Sequence, residues 1–129
     1  MGKAKLIMLV DDDWDFLEPN RQLLESLGYR VACFSDPREA LRSAEAERPD
    51  LIISDLMMKS LDSGFTLARE AKSRWAGVPV ILVTAASSQR GFDFRPRGRD
   101  DLQAMNVDAF FDKPVDPAAL IAKVQELLA

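Results

Sequence analysis

The stretch DLIISDLMM, residues 50–58, sets an apolar run against a carboxylate. Leu51, Ile52 and Ile53 follow one another without a polar residue, the mark of a strand covered on both faces, as in parallel sheets packed between helices. Asp55 then stands near the tip of that strand. An ionised carboxylate drawn out of water is costly unless it is paired and hydrogen-bonded. Its position therefore predicts a cationic neighbour at the same end of the sheet.

Working outward, short apolar runs alternate with amphipathic stretches, as expected when parallel strands are joined by crossover helices. KLIMLV (5–10) reads as the first strand. WDFLEPNRQLLESLG (14–28) reads as a helix, with Phe16, Leu17, Leu23, Leu24 and Leu27 at helical spacing and Gly28 as its stop. Pro19 must lie in the first turn or kink that helix, because further in it removes a backbone hydrogen bond. YRVACF (29–34) is the second strand, and the helix after it opens with Asp36 as N-cap and Pro37 at its first position, ending by Pro49. DLIIS, the helix GFTLAREAKSRWAG (64–77), VPVILVT (78–84) and VDAFFD (107–112) continue the alternation. DPAALIAKVQELLA (116–129) is a last helix capped by Asp116, with Leu120, Val124 and Leu127 inward. The expected fold is α/β, a doubly wound five-stranded parallel sheet with flanking helices, in which ligands bind beyond the carboxyl ends of the strands.

The chain has 129 residues, 47% of them hydrophobic, which suits one domain with one core. Its apolar runs fall far short of the roughly 20 residues that cross a bilayer. The first residues show neither a long apolar region nor a small-residue cleavage site, so the cytoplasm is the expected location. A lone Cys33 excludes an internal disulfide framework and reads as core packing. The absence of histidine removes Ser-His-Asp and Cys-His nucleophile systems and His-containing zinc sites, and any phosphohistidine must come from a partner. A net charge of −4 argues against nucleic acid as the main ligand.

The strand ends carry the chemistry. Asp11, Asp12 and Asp13 follow the first strand, Asp55 ends the third, Thr84 the fourth, and Lys113 and Pro114 follow the fifth. Parallel strands bring all of these to one rim. Carboxylates gathered within about 4 Å repel by roughly 4 kcal/mol per pair at an effective dielectric near 20. Lys113 offsets part of this, and a divalent metal can offset the rest. Oxygen ligands without imidazole or thiolate suit a hard ion such as Mg2+. A carboxylate placed beside a metal and a lysine can act as a nucleophile towards phosphorus.

Taken together, LVDDD (9–13), IISDLMM (52–58), VTA (83–85) and DKP (112–114), in this order and on these strand ends, make the chain resemble the receiver domains of two-component response regulators over essentially its full length. The resemblance implies a flavodoxin-like strand order of 2-1-3-4-5 and a phosphorylation-dependent signalling switch. Asp55 would be the phosphoacceptor, served by a partner histidine kinase or histidine phosphotransfer protein. Asp11 and Asp12, with the backbone carbonyl of Met57, would join Asp55 in holding Mg2+. Thr84 and Lys113 would contact the phosphoryl oxygens, Thr84 and Phe110 would form the moving switch, and the Lys113–Pro114 bond would be cis. Such a protein is not a conventional enzyme; it is expected to phosphorylate itself from a phosphodonor and to lose the group by hydrolysis. Asp13 reads instead as a helix N-cap.

Two stretches depart from the family pattern. In LMMKSLDSG (56–64), Lys59 replaces the usual proline and Gly64 comes one residue late. The chain between Thr84 and Lys113 is longer than usual, and Gly91, Pro96 and Gly98 make a regular helix over residues 91–99 improbable, so the fourth helix is expected to be shortened or irregular. GFDFRPRGR (91–99) is accordingly expected to be a docking loop, with a downstream protein or dimer partner engaging residues 86–129. No output domain follows the receiver, taken as residues 1–129, within this chain. One alternative is a haloacid-dehalogenase-like phosphatase with Asp11 as nucleophile and Asp13 as its second acid, although Asp15 stands where Thr or Val is usual there. Another is a receiver-like interaction module that works without phosphorylation.

Overall fold

A computed structural model describes residues 4–55, 63–84 and 107–129. Its elements run β1 (Leu6–Val10), α1 (Trp14–Ser26), β2 (Arg30–Phe34), α2 (Pro37–Ala46), β3 (Leu51–Asp55), α3 (Ser63–Arg74), β4 (Val80–Thr84), β5 (Ala109–Asp112) and α4 (Pro117–Leu128). The five strands form one parallel sheet in the order β2-β1-β3-β4-β5, the expected doubly wound arrangement. β1, β3 and β4 are buried at every position, whereas the edge strand β2 is only partly covered. Their unbroken apolar runs, including LIMLV and VILVT, suit strands covered by helices on both sides.

Because side chains alternate across a strand, the sheet sorts its residues by parity. Ile7, Leu9, Leu51, Ile53, Ile81, Val83 and Ala109 form one buried layer with Leu17 and Leu24 of α1 and Leu120 and Val124 of α4. Met8, Val10, Ile52, Val80 and Leu82 face the other way, against Ala40 and Ala44 of α2 and Leu67, Ala68 and Ala71 of α3. Small residues on α2 and α3 let those helices approach the sheet closely. Cys33 is half-buried against the first layer, and burial pushes its thiol pKa up, which fits a packing role.

Helix ends follow the local chemistry. Asp36 caps α2 by accepting from the Arg38 backbone N–H at 2.8 Å, with Pro37 in the first turn. α1 ends at Gly28, whose φ of +96° lies in the left-handed region that favours glycine. There the Gly28 and Tyr29 N–H groups donate back to the carbonyls of Glu25 and Leu24, the paired bonds of a Schellman ending. Pro19 lies in the second turn of α1, which excludes the first of the two placements expected for it. Asp116, expected to cap the last helix, occupies the N-cap position of α4 without a side-chain capping bond.

At the amino rim, two aspartates fix strand register. Asp50 Oδ2 accepts from the Leu6 N–H at 2.7 Å at the start of β1. Asp108 Oδ2 accepts from the Val80 N–H and from Lys72 Nζ, both at 2.8 Å, tying β5 to β4 and to α3. The carboxyl rim is thereby set in its register. The turn over residues 56–62 with Lys59, the segment 91–99 and the rest of the stretch in which a shortened or irregular fourth helix is expected lie outside the described residues.

Candidate functional site

The order of strands reverses between β1 and β3, and the site lies there. Val10 pairs with Ser54, so Asp11 and Asp55 leave the sheet side by side. The Asp11 backbone N–H donates to the Phe34 carbonyl at 3.0 Å, extending the ladder towards β2 by one bond. Parity then aims the side chains. Asp11 continues the Ile7, Leu9 series, Asp55 the Leu51, Ile53 series, and Lys113 the Ala109, Phe111 series, all on the α1 side of the sheet. Thr84 continues the Val80, Leu82 series on the opposite side, where Phe110 also packs.

Asp11 and Asp55 are buried, at 0% and 6% exposure, whereas Asp12 is exposed. One carboxylate oxygen from each of the three lies within 4.8 Å of the others. Each pair at that distance repels by roughly 3 kcal/mol at an effective dielectric near 20. Lys113 answers the two buried ones: its Nζ donates to Asp11 Oδ2 at 2.8 Å and lies 3.7 Å from Asp55 Oδ2. Asp11 Oδ1 accepts from the Asp13 backbone N–H at 2.9 Å. Asp13 itself is the N-cap of α1, its Oδ1 accepting from the Asp15 N–H at 2.9 Å, the role expected for it.

Burial and the ion pair act in opposite directions on both Asp11 and Lys113. Burial raises the Asp11 pKa above the ordinary aspartate value, outweighing the lowering by the Lys113 hydrogen bond and charge. For Lys113 burial works downward, yet the hydrogen bond with Asp11 and the charges of Asp11, Asp55 and Asp13 leave its pKa raised. The ammonium stays charged and the cluster keeps a surplus of negative charge. An oxygen-only donor set of this kind fits a hard divalent cation.

Around this centre, Thr84 is buried at 1% exposure and its carbonyl accepts from the Lys113 N–H at 2.9 Å. That bond prolongs the pairing of Thr84 with Asp112 and places Lys113 at the rim. The Lys113–Pro114 peptide is cis. Phe110 is half-buried against the α2 and α3 layer, and Phe111 is half-buried against the α1 and α4 layer. Met57 lies outside the described residues. One neighbour was hidden in the sequence. Phe16, counted there only as part of a helical stripe, lies with its ring centroid 4.8 Å from Lys113 Nζ. Helical spacing shows which face it occupies, but not that Lys113, remote in sequence, reaches the same face.

An open groove runs past this point between the start of α1 and the loop entering α4, with Phe16, Pro19, Leu23, Lys113, Pro114 and Val115 along it.

Comparison with known proteins agrees with this geometry. The alkaline phosphatase synthesis transcriptional regulatory protein PhoP of Bacillus subtilis is 32% identical over 124 residues, which are 96% of this chain and 48% of that protein. The chain thus spans about half the length of the curated relatives it matches. Among solved structures, a CheY-like receiver domain protein of Methanospirillum hungatei superposes with a TM-score of 0.81 at 29% identity, covering 97% of this chain and 94% of that one. The response regulator TrrA of Thermotoga maritima, solved in complex with Mg(2+)-BeF, gives 0.78 at 27% identity, covering 97% and 100%. The model of the response regulator receiver domain matches residues 7–125. With the sheet order, the acidic cluster and the lysine all in place, the chain belongs to the response regulator receiver domain family.

Proposed function

We propose that residues 1–129 act as a single receiver whose Asp55 accepts a phosphoryl group from the phosphohistidine of a partner histidine kinase or histidine phosphotransfer protein. The observation that carries this reading is the buried Asp55 carboxylate, gathered with Asp11 and Asp12 and facing the Lys113 ammonium. Its support from relatives is the family assignment and the capture of TrrA with Mg(2+)-BeF.

In this reading Asp11, Asp12 and Asp55 would hold Mg2+, joined by the Met57 carbonyl. Bound there, Mg2+ would supply positive charge against the gathered carboxylates and the incoming phosphoryl oxygens. An Asp55 carboxylate oxygen forms the new bond to phosphorus as the bond from phosphorus to the donor nitrogen breaks, and the electron pair of that bond stays on the imidazole. Lys113 meets negative charge on a phosphoryl oxygen. The Thr84 hydroxyl donates to another, drawing Thr84 towards the site, and Phe110 turns into the space so released. Attack by water on phosphorus later breaks the bond to Asp55, releases phosphate and resets the switch. The groove beside Lys113 offers apolar contact to the protein that delivers the phosphoryl group. A downstream protein or dimer partner would read the change through residues 86–129, and GFDFRPRGR would take part in that docking.

The phosphatase alternative gains nothing from the geometry, since its second acid, Asp13, is engaged in capping α1. Location in the cytoplasm accords with this role; among the described residues no helix is long and apolar enough to cross a membrane. The test is incubation with Mg2+ and acetyl phosphate, followed by intact-mass analysis. We expect one acid-stable, base-labile phosphoryl group in the wild type and none in Asp55→Asn. Phosphoryl uptake that persists in Asp55→Asn but disappears in Asp11→Asn would reverse the assignment.

A further inference from the structure

Lys113 carries its ammonium on a long flexible stem, so its position depends on what surrounds it. Its Nζ donates to Asp11 at 2.8 Å and lies 3.7 Å from Asp55. The Phe16 ring offers it a further surface, with the ring centroid 4.8 Å away. An aromatic face carries negative quadrupole charge, so it attracts the ammonium where an aliphatic side chain would only exclude water.

We propose that Phe16 is a positioning residue, its ring holding the Lys113 ammonium against Asp11 and Asp55 at the site where phosphorus arrives. The inference rests on the reading of Asp55 as phosphoacceptor and of Lys113 as a contact to the phosphoryl group. Phe16 is suited to the task because it is itself fixed. It lies in the first turn of α1, where its N–H donates to the Asp13 carbonyl at 3.0 Å and its carbonyl accepts from Asn20 Nδ2 at 2.7 Å. Its side chain also packs against the layer that contains Leu17 and Leu24. The backbone that places Asp11, Asp12 and Asp13 thus also places the ring. A lysine held this way loses little rotamer freedom when the phosphoryl oxygen arrives, which lowers the barrier to transfer. Leucine at position 16 keeps an apolar contact but lacks the charged face, and tyrosine keeps the face.

The test pairs a spectroscopic reading with a kinetic one on the full chain. In metal-free wild type, the Lys113 Hε protons are expected upfield of those of the other lysines through the ring current of Phe16. That displacement is lost in Phe16→Leu and kept in Phe16→Tyr. With saturating Mg2+ and acetyl phosphate, the Phe16→Leu rate of Asp55 phosphorylation is expected to fall by about three- to tenfold, with Phe16→Tyr near wild type. An unshifted Lys113 in the wild type overturns the proposal without any variant. Equal rates in wild type and Phe16→Leu overturn the positioning role while leaving Asp55 as phosphoacceptor. A shifted Lys113 in a wild type that takes up no phosphorus at Asp55 overturns the receiver reading, and the positioning role with it.

Discussion

Asp11 is the residue on which the opposing forces of the site meet. Burial favours its protonated form, while Lys113 and the Asp13 N–H favour the carboxylate, and burial prevails in setting the direction of the shift. The sign of the consequence follows from linkage. With its folded pKa above the unfolded value, ionised Asp11 costs the metal-free fold stability above that folded pKa, and the cost is relieved as pH falls through it. Lys113, with its pKa raised, contributes stability that is present below the unfolded lysine value and lost as pH climbs through the folded one. In the proposed reading, protons and a divalent cation would compete for the same Asp11 carboxylate. Calorimetric titration with Mg2+ over a pH series should show affinity falling on acidification from a pH above the ordinary aspartate range. Affinity that stays level until that range is reached would show that burial does not raise the Asp11 pKa. At this scale the sequence named the participants, because Asp11, Asp12, Asp55 and Lys113 are polar residues at the tips of apolar runs. It did not reveal Phe16, whose neighbour lies far along the chain.

The elements themselves were legible where local chemistry decides them. Asp36 followed by Pro37 is a helix start wherever it occurs, and Gly28 ends α1 in a left-handed conformation. The Asp116-Pro117 pair looks alike in sequence, yet Asp116 forms no capping bond. Two caps that read the same should therefore differ in worth. Asp36→Ala should destabilise the protein by about 1 kcal/mol in urea unfolding, whereas Asp116→Ala should cost less than about 0.5 kcal/mol. Equal losses would mean that Asp116 caps α4 in solution. Pro19 marks the limit of local rules in the other direction. It sits in the second turn of α1, where propensity alone disfavours it, because burial of Leu17 and Leu24 against the sheet holds the helix together around it.

Across the whole molecule, the sheet gathers negative charge at one rim, and stability should depend on what neutralises it. A ligand that binds only the folded state at a hundred times its dissociation constant stabilises by about 2.7 kcal/mol. For a domain of this size that corresponds to a rise in Tm of roughly 10 °C. Scanning calorimetry with and without Mg2+ should show such a rise in the wild type and a much smaller one in Asp12→Asn; an equal rise in both would place the cation elsewhere. The sequence by itself determined the alternation of strands and helices, the apolar faces and the identity of the acids and the lysine, because periodicity and composition act over a few neighbouring residues. The resemblance implied that β1 lies between β2 and β3, as it does, but only the tertiary structure decided how Asp11 and Asp55 share Lys113 and that Phe16 lies against it. Strand order and parity bring together side chains that the chain itself keeps up to 102 residues apart, and no local pattern records those distances.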